Sequence, residues 1–228
     1  MSGIFHIASD WERQHPGAFG AFLEVRMSAG EWNEAAASEF QEEKLNELRA
    51  LYSTLSREEL RTLPCFAAYE RYYKKFRKTY HVFLQFESVV LHGKPFPETP
   101  LPVRAMFLAE MRGFLLTAVH DLARIQPPVL LDTASGAEQY LDMGKTERTL
   151  KEGDMYMRDE EGIISSILYG PDHRTRISPE SERLLYTVYA PAGISEQQVR
   201  THLDLLEETL SCFSSGIEIH SRGIVPST

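Results

Sequence analysis

The sequence predicts an α+β fold, one domain with helices packed on a mixed β-sheet. Three observations carry that expectation. Two short apolar runs, residues 4–8 and 19–25, stand on either side of the chain-breaking His15-Pro16-Gly17. A middle stretch from Trp32 to about Leu116 has helical periodicity. Beyond Val129, short strand-like runs punctuated by glycine precede one last amphipathic helix.

Taken in order, the two N-terminal runs read as strands. Residues 32–55 place Leu45, Leu48, Leu51 and Leu55 at helical spacing, with an acidic first half that suits the helix dipole. Ser56-Arg57-Glu58-Glu59 is a capping box that starts another helix. Pro64 opens a third, over roughly residues 65–78. Residues 79–91 continue as an apolar helix, and His92-Gly93 stops it. Residues 94–102 hold Pro95, Pro97, Pro100 and Pro102 and form a rigid loop; 103–116 is a further helix. Runs at 129–131, 154–157, 163–168 and 184–189 read as strands, each near a glycine. Ser195 caps the last helix, 195–213, with Val199, Leu203, Leu206 and Leu210 on one face. Gly216 to Ile219 suits an edge strand. The domain is expected to span 1–228, with a core of about 10–213 and extensions at 1–9 and 214–228.

Composition narrows the function classes. Of 228 residues 43% are hydrophobic, with 12 Phe and 10 Tyr, which is ample for a packed core. The net charge of -9 argues against diffuse, salt-driven binding to nucleic acid but leaves room for a local basic stripe. Cys65 and Cys212 form no CxxC pair, so neither a disulfide framework nor a thiolate metal site is expected, and both suit small core positions. Met1-Ser2-Gly3-Ile4-Phe5-His6 carries no leader signature, and no apolar run is long enough to span a bilayer. A cytoplasmic location follows as the expectation, with neither a membrane nor DNA as partner. No nucleotide, metalloprotease, hydrolase or kinase motif is present, and no cofactor is expected.

Three polar clusters are candidate sites. Arg71, Lys74, Lys75 and Lys78 fall at i, i+3, i+4 and i+7, which sets them on one helical face for phosphate contact, with Tyr72, Tyr73 and Phe76 interleaved as stacking groups. The plain alternative is a solvated face whose aromatics turn to the core. His120-Asp121, read at a helix end, offers a general base and an acid. The alternative is a capping Asp beside a core His, since adjacent helical residues do not face each other. Asp172-His173-Arg174-Thr175-Arg176 follows a strand and the turn-forming Gly170-Pro171, a placement that suits substrate binding on a loop, with Arg174 able to grip a carboxylate or phosphate. The alternative is a loop whose charges pair with one another.

Several of these blocks, in order, resemble the B3/B4 domain of the bacterial phenylalanyl-tRNA synthetase β subunit, a module that also occurs free-standing. The blocks are 75–80 leading into 84–89, Gly93-Lys94-Pro95, 103–116 leading into His120-Asp121-Leu122, 134–138, 150–154, 159–162 and 169–177. The resemblance covers about Asp10 to Phe213. It implies a three-layer fold of helices around a mixed sheet, and tRNA or aminoacyl-tRNA as partner. In the synthetase this domain hydrolyses tyrosine wrongly attached to the phenylalanine tRNA, with a pocket that tests for the substrate hydroxyl. By the resemblance that pocket would lie near His120-Asp121 and the loop 169–176, holding the amino-acid moiety, with His120 activating water and Arg174 gripping the substrate. This sequence departs from the family pattern in two places. Val103-Arg104-Ala105-Met106-Phe107 stands where the family often has Val-Asp-x-x-Asn, and Ala118 stands where the synthetase has a histidine. An amino-acid-binding module without hydrolysis is the alternative function.

Overall fold

The computed structural model describes residues 4–27 and 32–227. Met1–Gly3, part of the N-terminal segment read above for a leader, lie outside the described residues. The chain starts with β1 (Phe5–Ile7) and a short helix α1 (Ser9–Gln14), then β2 (Phe19–Met27). Helices follow: α2 (Glu34–Tyr52), α3 (Arg57–Thr62), α4 (Pro64–Lys75), α5 (His81–Phe86) with a π turn at Glu87–Leu91, and α6 (Leu101–Gly113). Then come β3 (Leu116–Asp121), a 3-10 turn at Leu122–Arg124, and β4 (Val129–Thr133), β5 (Gln139–Leu141), β6 (Glu147–Thr149), β7 (Met155–Arg158), β8 (Ile163–Ser166), β9 (Gly170–Pro171) and β10 (Arg183–Ala190). Helix α7 (Glu196–Phe213) and β11 (Ile217–Pro226) close the chain.

Local chemistry sets most helix starts. Asn33 accepts from Ala36 N, and Ser56 and Ser195 each form a complete capping box, with Glu59 and Gln198. Pro64 occupies the first turn of α4, where its missing N–H is no loss.

The α+β class stands, and the sheet material is divided. One sheet has the order β1-β4-β7-β8-β9 and is mixed: β1 runs parallel to β4, and the other pairs are antiparallel. The other, β11-β2-β10-β3, is antiparallel throughout. The two lie face to face, close enough at Gly20 that a Cβ there would meet Leu131 Cδ2 at 2.6 Å; this is why glycine stands there. On the outer face of the four-stranded sheet, α6 packs on β3 and α7 on β2 and β11, with α2 against both helices. The layers are therefore sheet, sheet, helices. Both ends of the chain join them, through β1 and β11; the edge strand expected at 216–219 runs on to Pro226.

Four expectations need correction. Residues 116–121 are a strand, not the continuation of a helix: α6 ends at Gly113, Phe114 turns left-handed (φ 61), and the apolar run pairs with β10. Helix α4 stops at Lys75, and Arg77 takes a positive φ of 58, so Lys78 is off the helical face assigned to it. Tyr72, Tyr73 and Phe76 are buried rather than available for stacking. Cys65 is buried as expected, but Cys212 is exposed.

The buried tyrosines fasten α4 to both sheets. Tyr69 donates to Tyr189 O and accepts from Leu116 N at 2.8 Å. Tyr72 donates to Asp154 Oδ1 at 2.9 Å and accepts from Met155 N. Tyr73 donates to Ile167 O. Each hydroxyl thus satisfies a backbone group that burial would otherwise orphan.

Candidate functional site

Strand β3 is the edge of its sheet, and its side chains alternate between two environments. Leu116, Ala118 and His120 face the other sheet; Thr117, Val119 and Asp121 face the helices, as their pairing with β10 requires. His120 and Asp121 are therefore on opposite faces and form no acid–base pair.

On the inter-sheet side, His120 is fully buried. Its Nδ1 donates at 2.8 Å to Thr175 Oγ1, whose own proton goes to Asp172 Oδ1. Nε2 is then the unprotonated nitrogen, and it has no hydrogen-bond partner. Burial, followed by the nearby Arg174 guanidinium, pushes the His120 pKa down to about 3. The loop beyond is fastened to itself. Asp172 accepts from the backbone of Arg174 and Thr175. Arg174 bonds Asp159 Oδ1 at 2.8 Å and Arg124 O at 2.7 Å. His173 N bonds Leu141 O at 3.0 Å. Asp121 accepts from Ser181 Oγ at 2.7 Å and Ala123 N at 3.0 Å. Apart from the unpaired His120 Nε2, this network is a fastening between β3 and residues 171–177.

A cleft of about 310 Å³ wraps the free edge of β3. Helix α6 contributes Val103, Met106, Phe107 and Glu110, spaced i, i+3, i+4 and i+7, so they form one stripe facing the cleft. Leu116 to Val119 form its floor. His81 and Gln85 of α5, Ser166, Pro171, Arg176 and Ile177 complete the walls, and Met143 of the β5–β6 turn stands over it. Arg176 is the only one of the sequence-predicted site residues that reaches this cleft. Val119 pairs with Tyr186 between two pairs whose β3 N–H groups are bonded elsewhere, Thr117 to Glu110 and Asp121 to Thr175. By the alternation of an antiparallel ladder, Val119 N–H also points away from β10, toward the cleft.

Glu110 is the unusual member. It is 1% exposed, Oε1 accepts Thr117 N at 2.7 Å, and Oε2 has no partner. Burial raises its pKa well above the usual carboxylate value. Behind it Thr117 Oγ1 donates to Leu115 O and lies 2.7 Å from His202 Nε2, and burial lowers His202 to about 3. His81 is solvent-accessible as a residue, but its Nδ1 lies 3.4 Å from the buried Tyr73 hydroxyl. Burial of the ring and then the Lys78 ammonium hold its pKa below the usual imidazole value.

Cations gather beside the cleft. Lys78 stands 4.3 Å from the ring centroid of Tyr169, next to the cleft residue Gly170, and Arg148 lies 5.8 Å from the same ring. Burial, and then Lys151 and Arg148, lower the Lys78 pKa. Lys75 lines a separate depression of about 540 Å³ with Arg77, Lys151 and His15. Lys74 pairs with Glu70 at 3.2 Å, and Arg71 turns to Ala192 O at 3.3 Å. The four predicted basic residues thus diverge, and Lys78 alone joins the rim near the cleft. Among the described residues no group of acids, histidines or cysteines is arranged to hold a metal, and no helix is long and apolar enough to cross a membrane.

The sequence reading missed Glu110, Thr117, His202 and His81. Glu110 had a legible signal, a lone acid completing an apolar helical stripe. Thr117 and His202 had none, because they meet each other across 85 positions.

No family model matches the chain, and neither does any curated protein sequence. Among solved structures, it is similar to an N-terminal fragment of the phenylalanyl-tRNA synthetase β subunit from Pyrococcus horikoshii, at 14% sequence identity and a TM-score of 0.51. The match covers 99% of this chain and 55% of the fragment, so the chain spans about half the fragment's length. At that identity the likeness is one of fold.

Proposed function

We propose that this protein recognises the aminoacyl end of a tRNA, with the acyl group in the cleft at β3 and the RNA backbone on the cationic rim. The carrying observation is the juxtaposition of an apolar cleft containing one unpaired buried carboxyl oxygen with Lys78 and Arg148 on the Tyr169 ring and Lys151 near Lys78. Apolar walls with a few converging polar groups suit a small organic moiety. Neighbouring like charges repel one another, an arrangement relieved by phosphate. The fold shared with a synthetase β-subunit fragment supports the same reading by analogy.

Ester hydrolysis at this site draws on His81 rather than His120. His81 lines the cleft and its neutral imidazole can orient water, whereas His120 is enclosed behind the strand. The net charge of -9 favours a second reading, a module that binds free amino acids and no RNA.

Incubating the protein with correctly and wrongly charged phenylalanine tRNA, and a panel of other mischarged tRNAs, tests both. Selective deacylation of one mischarged species, weakened by His81→Ala and retained in His120→Gln, establishes an editing esterase. Binding of charged tRNA without deacylation leaves recognition alone. Binding of free amino acids with no affinity for tRNA transfers the function to the second reading.

A further inference from the structure

The strongest unexplained feature of the molecule is the Glu110 carboxyl. A buried acid that lines a cleft, with one oxygen satisfied and the other unpaired, stores a desolvation penalty that a ligand donor can relieve. Among the described residues no cation pairs with it. From α7, His202 is directed to Thr117, and from α4 Tyr69 and Tyr73, with Tyr80 beyond the helix, present neutral phenols. His81 of α5 and Tyr189 of β10 are neutral as well. Arg112, on the same helix, is directed to Glu208 and Thr209, and Arg176 spends a donor on His173 O at 2.7 Å.

We infer that Glu110 Oε2 is the acceptor for a ligand ammonium group, so that the cleft selects primary α-amines with an apolar side chain over otherwise identical molecules lacking the amine. The side chain lies along Val103, Met106 and Phe107. The acyl oxygen, two bonds beyond the α-carbon, falls toward the outward Val119 N–H, two residues along the strand from the Thr117 N–H that Glu110 holds. This rests on the reading of the cleft as a ligand site and adds the chemical class of the ligand. The ammonium favours the ionised carboxylate, so binding shifts the Glu110 carboxyl toward its charged form, opposite to the shift that burial imposes.

The test uses the full chain and the methyl esters of phenylalanine, leucine and methionine, each beside its des-amino ester. Titration calorimetry at pH 6 is run in two buffers of different ionisation enthalpy. The expected result is at least about tenfold weaker binding of each des-amino ester, as loss of a charge-assisted bond implies. Proton release on binding of the amines is expected as well. Glu110→Gln keeps an acceptor for Thr117 N and should erase both the preference and the proton release. Equal binding of amine and des-amino esters overturns the inference and leaves the cleft reading intact. If no ester of either kind binds, the cleft reading falls and the inference with it. If Glu110→Gln does not fold, the wild-type comparison decides alone.

Discussion

The two sides of β3 carry polar groups in opposite conditions. On the inter-sheet side, His120, Asp159 and the polar run that holds Asp172, Arg174 and Thr175 are almost fully paired with one another. On the cleft side, polar groups are few, and Glu110 keeps an oxygen unpaired. The first region spends its hydrogen bonds on holding a loop; the second keeps them for something else. Polar density therefore marks fastening in this protein, and an unpaired polar group in apolar surroundings marks the candidate site.

Arg174→Ala should break the comparison most visibly. It leaves the buried Asp159 without its cation, and a loss of about 2–4 kcal/mol in denaturant unfolding is expected, with amino-ester binding retained in the folded fraction. Loss of ligand binding at unchanged stability would instead return the loop to the role the sequence suggested.

Gly113→Ala probes the support behind Glu110. A Cβ there would lie 2.4 Å from His202 Nδ1, on a ring already held by Thr117. We expect a loss of about 1–3 kcal/mol from overpacking, visible as a lowered Tm.

Stability against pH sets the buried histidines against a buried acid. His120 and His202, at about 3, bind protons less readily folded than unfolded. From their unfolded value near 6.5 down to about 3, the unfolded chain takes up protons that the folded chain does not, so this stability is lost as pH falls. Asp154, raised by burial to about 7, acts in the opposite sense. Its contribution is complete below the unfolded value near 3.8 and disappears as pH rises through 7. Urea midpoints for wild type should fall from pH 7 to pH 4, since His15, also lowered by burial to about 4, adds to the histidine side. Asp154→Asn should steepen that fall and His202→Gln should flatten it.

The smallest effect on folding belongs to the rim. Lys78→Ala should change stability by less than about 0.5 kcal/mol. If the rim meets phosphate, the same change should make the logarithmic salt dependence of RNA binding shallower by about one.

The α+β class, the run of strands, helices, strands and a last helix, and most helix starts were legible in the sequence. These rest on local chemistry: Ser56 with Glu59, Ser195 with Gln198, Pro64 in a first turn. It also contained the apolar stripe that Glu110 completes. It misread 116–121 because a short apolar run suits helix and strand equally, and only β10, more than sixty residues away, decides between them. Which way the α4 tyrosines turn, which face of β3 each side chain takes, and which oxygen of Glu110 stays free were decided by tertiary structure. Tyr69 meets Tyr189 across 120 positions and Thr117 meets His202 across 85. Pairing and burial are relations between such distant residues, and no local pattern encodes them.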